Sequence, residues 1–466
     1  MNSIWQELTL SVYQWRESSY VYRLVGCLQG WRQSSWLMQW GEAIAALIMS
    51  LVFVLSPFVS NDLVGILLVG CAGFWILLTL TDNFKTGFTP IHLLVLVYWA
   101  ISTVATALSP VKAAAAVGWS KLTLFLLLFA LMARLLRSPR IRSWLIAVYL
   151  HVAVIVSVYG LRQWFFGAAQ LATWVDPESP LSKTTRVYSY LGNPNLLAGY
   201  LVPAIALSLA AVFAWRGWLP KALALTMLVV NSACMILTFS RGGLIGFVVL
   251  IFAFFVLLVD WWSIKLPDFW RTWSLPVLLG SLTGIFVLAV LFVPPLRDRV
   301  SSMFVGREDS SNNFRINVWT AVLEMIRDRP FLGIGPGNTA FNKVYPIYQV
   351  SPRYSALSAY SILLEVAVET GFIGLLCMIW LILVSLNQGM MQLRRLRDLG
   401  NPQAFWLMGA IAAVLGMLSH GMVDTVWYRP EVNTLWWMAI AIIASYITVV
   451  PEIKTGDSAV REPIGF

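Results

Sequence analysis

Gly192-Asn193-Pro194-Asn195-Leu196-Leu197-Ala198-Gly199-Tyr200-Leu201-Val202-Pro203-Ala204-Ile205-Ala206-Leu207-Ser208-Leu209-Ala210-Ala211-Val212-Phe213-Ala214-Trp215 is the stretch that decides the fold. No charged residue interrupts it before Arg216. At about 1.5 Å of rise per residue it is long enough to cross about 30 Å of hydrocarbon as a helix. Comparable apolar runs lie near 43–60, 63–80, 91–108, 119–136, 143–166, 220–238, 242–259, 274–293, 361–386, 404–422 and 432–449, about twelve spans in all. The runs are continuously apolar, without the in-out alternation of barrel strands, so the expected fold is an all-α polytopic transmembrane helical bundle.

Composition agrees. Of 466 residues 59% are hydrophobic and 12% charged, with a mean hydropathy of +0.75. That excludes a secreted disulfide scaffold, a disordered chain, a coiled coil and a cytosolic nucleotide enzyme. Cys27, Cys71, Cys234 and Cys377 stand far apart, with no His beside them, and imply neither a disulfide nor a metal site.

The net charge of +10 is a matter of topology rather than of nucleic acid. Lys and Arg of short loops favour the cytoplasm. Arg16, Arg23, Arg32, Lys85, Arg134, Arg137, Arg140, Arg142, Arg216, Lys221, Lys265, Arg271, Arg394, Arg395, Arg397, Lys454 and Arg461 share the side of the N-terminus. The other side's short loops and helix ends hold only Lys112, Lys121, Arg162, Lys183, Arg186, Arg241 and Arg429. Both termini are therefore expected inside, in an inner or plasma membrane. The organisation follows: an interfacial segment 1–42 with Trp5, Trp15, Trp31, Trp36 and Trp40, nine spans in 43–293, a long external loop 294–357, three spans in 358–450, and a cytoplasmic tail 451–466. The segment 1–42 suits either helix in the headgroup region or a tail packed on the bundle.

Four polar segments are expected on the external face. Arg186 precedes Gly192-Asn193-Pro194-Asn195, where Asn193 and Asn195 either cap the helix or hold an anion at its N-terminus. Thr238-Phe239-Ser240-Arg241-Gly242-Gly243 carries an arginine that must be paired, face water or snorkel to the interface. In the loop, Arg315 opens an amphipathic helix with Ile316, Trp319, Leu323 and Ile326 on its apolar face and Asn317, Glu324, Arg327 and Asp328 opposite, ended by Pro330. Gly333-Ile334-Gly335-Pro336-Gly337-Asn338 reads as a structural turn. Tyr345, Tyr348, Tyr354 and Tyr360 either stack on a sugar or cover apolar protein. Finally His420 and Asp424, four apart, share a helix face and form either a proton-accepting pair or a structural contact.

In this order and spacing the segments resemble the O-antigen ligase and polymerase superfamily of bacterial inner-membrane proteins, with Glu369-Thr370-Gly371-Phe372-Ile373-Gly374 matching its start of the next span. Val305-Gly306-Arg307-Glu308-Asp309-Ser310-Ser311-Asn312-Asn313-Phe314-Arg315 and Ser358-Ala359-Tyr360-Ser361 look like one cyanobacterial branch, the IctB-type inorganic carbon (bicarbonate) transporters. The branch implies transport or accumulation of bicarbonate. The superfamily's ligases imply transfer of a glycan from a polyprenyl diphosphate on the periplasmic face, without metal or cofactor. Under either reading the partners are the bilayer and an anion, bicarbonate or a lipid-linked diphosphate, held by Arg186, Arg241 and Arg315, which stand where the superfamily's basic residues stand. Alignment on Glu369 puts Tyr360-Ser361 where the ligases carry a catalytic His, which leaves His420 and Asp424 as candidate catalytic residues. Glu365, Glu369 and Asp424 are the acidic residues expected in or beside a span, all near its external end.

Overall fold

The computed structural model describes residues 27–81, 88–168 and 186–447. Trp5, Trp15, Arg16, Arg23, Lys85, Lys183 and the tail 451–466 lie outside the described residues. The described residues form helices and short 3-10 turns, with no strand. In chain order come α1 (Gly41–Leu55), α2 (Asn61–Leu80), α3 (Pro90–Ala107), α4 (Lys112–Leu135), α5 (Pro139–Phe166), α6 (Pro194–Ala214), α7 (Trp218–Leu237), α8 (Arg241–Ser263) and α9 (Asp268–Phe292). The long loop holds α10 (Ser310–Asp328) and α11 (Asn338–Val344), and α12 (Ile362–Asp398), α13 (Ala404–Gly421) and α14 (Pro430–Ser445) follow.

Apart from α10 and α11, these helices stand where the hydropathy marks spans. Ten are long and apolar enough to cross a membrane; α1 and α14 are shorter, at 15 and 16 residues. Some ends differ from the apolar runs. Helix α5 begins at Pro139, after the N-cap position Ser138, because Pro is suited to the first helical position. Helix α12 continues to Asp398, where Arg395 and Arg397 face the negative end of its dipole. The observed bounds also correct the tally of acidic residues, since Asp62, Asp260, Asp268 and Asp398 lie in long apolar helices and Glu42 and Glu431 in the shorter α1 and α14, all near helix ends.

Contacts between helix ends sort into two faces. Arg134 pairs with Glu42 at 3.5 Å, Arg397 with Asp260 at 2.9 Å, and Arg142 donates to Gln403 at 3.1 Å on one face. The loop and the starts of α6, α8 and α12 occupy the other. Lipid is as apolar as Leu, so close packing rather than water exclusion joins the helices. Helix α6 is the centre of the bundle, with 89% of its core stretch buried. Helices α8 and α13 approach so closely that a Cβ on Gly246 would lie 2.7 Å from the Gly416 carbonyl oxygen, and one on Gly416 2.9 Å from that of Gly246. Within the bundle, Ser157 of α5 donates to Asn231 of α7 at 2.8 Å, and Asn231 to Ser208 of α6 at 3.4 Å.

The loop carries its own small core, in which Val318, Val322 and Met325 of α10 meet Phe341, Tyr345, Ala359 and Val368. The buried stripe of α10 differs from the expected one. Val318, Ala321, Val322, Met325 and Ile326 face inward, Asn317 is buried and Leu323 is 55% exposed. Small and β-branched residues fit the close approach to α12, and Asn317 satisfies its amide on the Asn313 carbonyl at 2.8 Å.

The Gly333–Asn338 turn docks on a break in α12. Gly371 has φ 67 and ψ −173, a conformation open essentially to glycine. The break frees the Val368 and Glu369 carbonyls, which accept from Ile334 and Gly335 at 2.9 Å each, while Phe372 donates to the Pro330 carbonyl at 2.7 Å. A Glu369 carboxylate oxygen accepts from Gly337 at 2.6 Å, and Ser109 donates to the Ile334 carbonyl at 2.5 Å. The two glycine-bearing motifs are thus two halves of one joint.

Candidate functional site

The polar segments meet at the loop face. Gly192 takes a left-handed turn at φ 68, Asn193 caps α6 by accepting the Asn195 N–H at 2.8 Å, and Pro194 occupies the first turn. Asn193 is therefore the cap. Asn195 is left to point outward, accepting from Arg186 at 3.2 Å and donating to Asp424 Oδ2 at 2.7 Å. Arg186 also donates through Nε to the Thr238 carbonyl at 2.9 Å.

Ser240 caps α8 by accepting the Gly243 N–H at 3.2 Å, which delivers Arg241 in the first turn. Arg241 is 8% exposed and paired rather than snorkelling. Asp309 grips it with both carboxylate oxygens, at 2.9 Å and 2.5 Å, and Asn312 accepts at 2.6 Å. Arg315, six residues beyond Asp309, donates to Asp424 Oδ2 at 3.2 Å. The other carboxylate oxygen, Oδ1, has no hydrogen-bond partner among the described residues. Arg186, Asn195, Phe239, Arg241, Ser311 and Arg315 line a cavity of about 30 Å³.

His420 is also at this end of the bundle but aims elsewhere. It is fully buried, its ring sits against Gly242, where a Cβ would lie 2.5 Å from Cδ2, and neither ring nitrogen has a hydrogen-bond partner. It makes no hydrogen bond to Asp424, because the bundle turns the imidazole into the α8–α13 contact while Asp424 lies past the end of α13. Tyr360 is half-buried, edge-on to Phe314 with centroids 5.6 Å apart. Burial pushes its phenol up to about 12, with the Asp424 carboxylate and Tyr428 adding to the rise. The tyrosines do not form an open row. Tyr345 is 1% exposed and stacked on Phe341, Tyr348 donates to Asp328 at 2.7 Å, and Tyr354 is edge-on to Phe314.

Two features escape a reading of the sequence. Asp309 stands out only through its partner Arg241, separated by 68 residues. Strain is the other: among the described residues Ser189, Phe239 and Tyr360 are the non-glycine residues with positive φ, at 51°, 49° and 51°, and all three flank this site. Each costs roughly 1–2 kcal/mol, and such strain concentrates at functional sites. Glu365 adds a buried carboxylate that accepts the Ala359 N–H at 2.5 Å and leaves Oε1 unpartnered.

Fold and site together define a polytopic helical membrane protein with a basic, carboxylate-paired site at one membrane face. Residues 222–379, from within α7 to within α12, match the model of the O-antigen ligase family. No curated protein matches the chain. The matched segment contains Arg241, Asp309, Arg315 and Tyr360, whereas Arg186, Asn195, His420 and Asp424 come from outside it. The match is to the ligase family and lends nothing specific to the IctB-type branch or to bicarbonate.

Proposed function

We propose that the protein transfers a saccharide from a polyprenyl diphosphate carrier to an acceptor hydroxyl, as a glycan ligase or polymerase, with the loop face outside. The observation that carries this reading is the gathering of three guanidinium groups, Arg186, Arg241 and Arg315, around one small cavity beside the Asp424 carboxylate. Arginine forks suit the two phosphoryl groups of such a donor, and its lipid tail would reach the site through the bilayer.

In the reaction the acceptor oxygen bonds to the anomeric carbon as the bond from that carbon to the diphosphate breaks. The diphosphate leaves with the electron pair, stabilised by the arginines. The hydroxyl proton goes to Asp424 Oδ1, the oxygen without a hydrogen-bond partner among the described residues, while Asn195 holds Oδ2 in place. Tyr360 remains a neutral phenol and positions rather than accepts. His420, turned into the helix contact, supports the placement of Arg241 through its packing on Gly242.

The inorganic carbon reading rests on resemblance to the IctB-type branch and has no structural observation of its own. One experiment separates the two. Purified protein in proteoliposomes receives a polyprenyl diphosphate oligosaccharide and a labelled acceptor, and in parallel labelled bicarbonate. Transfer that falls at least about a hundredfold in Arg241→Ala and Asp424→Asn is expected. Bicarbonate uptake without transfer, abolished by Arg241→Ala, would overturn the proposal.

A further inference from the structure

Two ion pairs of opposite polarity tie the loop helix to the bundle. Asp309, the N-cap of α10, offers a carboxylate to Arg241 of α8, and Arg315 of α10 offers a guanidinium to Asp424 beyond α13. We infer that Asp309 is a built-in stand-in for a phosphoryl group, and that a diphosphate displaces it from Arg241, lifts the start of α10 and so frees Asp424 from Arg315. The identity of the anion rests on the ligase reading; the exchange itself does not.

Charge and space both point this way. Three guanidiniums face two carboxylates, so the site already carries net positive charge and gains more when a carboxylate leaves. The fork that binds Asp309 with two parallel N–H donors is the geometry that also takes a phosphate. The cavity of about 30 Å³ beside Arg241 has room for roughly a water or two, and a phosphoryl group can take the Arg241 fork only in place of Asp309, which occupies both of its terminal nitrogens. The helix cap does not require the negative charge. Asp309 caps α10 by accepting the Asn312 N–H at 2.9 Å, a task asparagine performs as well. The chain before it is held by polar contacts rather than by a packed core: Phe304 and Val305 are 85% and 44% exposed, while Asn312 donates to the Ser302 carbonyl at 3.0 Å and Arg307 to Asn313 at 3.3 Å. Moving Asp309 therefore breaks polar contacts at the start of α10, whereas moving Arg241, at the root of α8, would disturb the bundle.

The coupling follows from a shared rigid element. Asp309 and Arg315 lie within the first two turns of one helix, so lifting the cap draws Arg315 from Asp424, and the incoming anion supplies the countercharge for both arginines. The proton acceptor is then bare only when the donor is bound. Asp309 is on this account a positioning residue that restrains Asp424 until the diphosphate arrives.

The test uses the full chain in detergent or nanodiscs with inorganic pyrophosphate as the probe. Asp309→Asn keeps the cap and removes the charge. It should bind pyrophosphate about tenfold more tightly than wild type, whereas Glu324→Gln, an exposed carboxylate on the same helix, should bind as wild type does. Amide exchange over residues 310–316 should rise in wild type on adding pyrophosphate and be high without it in Asp309→Asn. Unchanged or weaker binding by Asp309→Asn, or pyrophosphate slowing exchange at the start of α10, would overturn the inference. If the variant does not fold, the wild-type exchange decides alone. A pyrophosphate response without glycan transfer would sink the ligase reading and leave the exchange standing. Transfer with an indifferent α10 would do the reverse. Polyprenyl diphosphate in the nanodisc, set against free pyrophosphate, tells whether a lipid or a soluble anion is the natural occupant.

Discussion

Replacing Gly371 by Ala should undock the loop while leaving the bundle intact. The residue sits at φ 67 and ψ −173, and an added Cβ would overlap the Phe331 carbonyl. Strain of this kind costs roughly 1–3 kcal/mol. Relieving it by straightening α12 loses the bonds from Ile334, Gly335 and Phe372 and the one from Gly337 to the Glu369 carboxylate. At about 1 kcal/mol each, straightening relieves the strain but weakens the joint by about 4 kcal/mol in all. Since about 1.4 kcal/mol is a factor of ten, amide protection at Ile334, Gly335, Gly337 and Phe372 should fall by about three orders of magnitude in exchange measurements on the full chain. Protection in the middle of α6 should not change. Protection at the four joint amides within tenfold of wild type would refute the idea that the break in α12 is what holds the loop.

Other outcomes follow from single contacts. Asn231→Ala removes the amide that links α5, α6 and α7, and should lower stability in denaturant titration by about 1 kcal/mol. Gly246→Val drives a side chain into the Gly416 backbone; separation of α8 from α13 should cost roughly 1–3 kcal/mol and weaken anion binding at Arg241, read by thermal shift with and without pyrophosphate. For Tyr360 the phenol is held above its ordinary value of 10.0, so its contribution to stability is complete below about pH 10 and fades as pH climbs toward about 12. Tyr360→Phe should therefore leave the shape of the pH–rate profile unchanged from about pH 6 to 9; a lost limb in that window would show Tyr360 titrating in the reaction.

The helices were legible because each span is set by a local property, an apolar run of sufficient length, and the Asn193-Pro194 cap and the Arg241 helix start are equally local. What was hidden depends on partners distant in the chain. Arg241 reads as a lone cation until the loop returns Asp309 to it, and Asp424 pairs with Arg315 across 109 residues, not with the His420 one turn away. The face of α10 went astray for a related reason. Its partner is a helix backbone at close range, which selects Val318, Ala321 and Val322 over the larger Leu323. Asn195, by contrast, was singled out from its own sequence context and lies at the centre of the network.

Helix α9 has no buried residue, whereas α12 buries side chains along most of its length. The loop between them is thus moored by backbone at one end and by ion pairs at the other. Its C-terminal half is anchored through the Gly371 joint to the bundle, and its N-terminal half follows a helix that packs lightly against α8. Such a segment moves as a door does on one hinge: the free edge travels and the hinge side stays. The edge that would swing is the one Asp309 pins to Arg241.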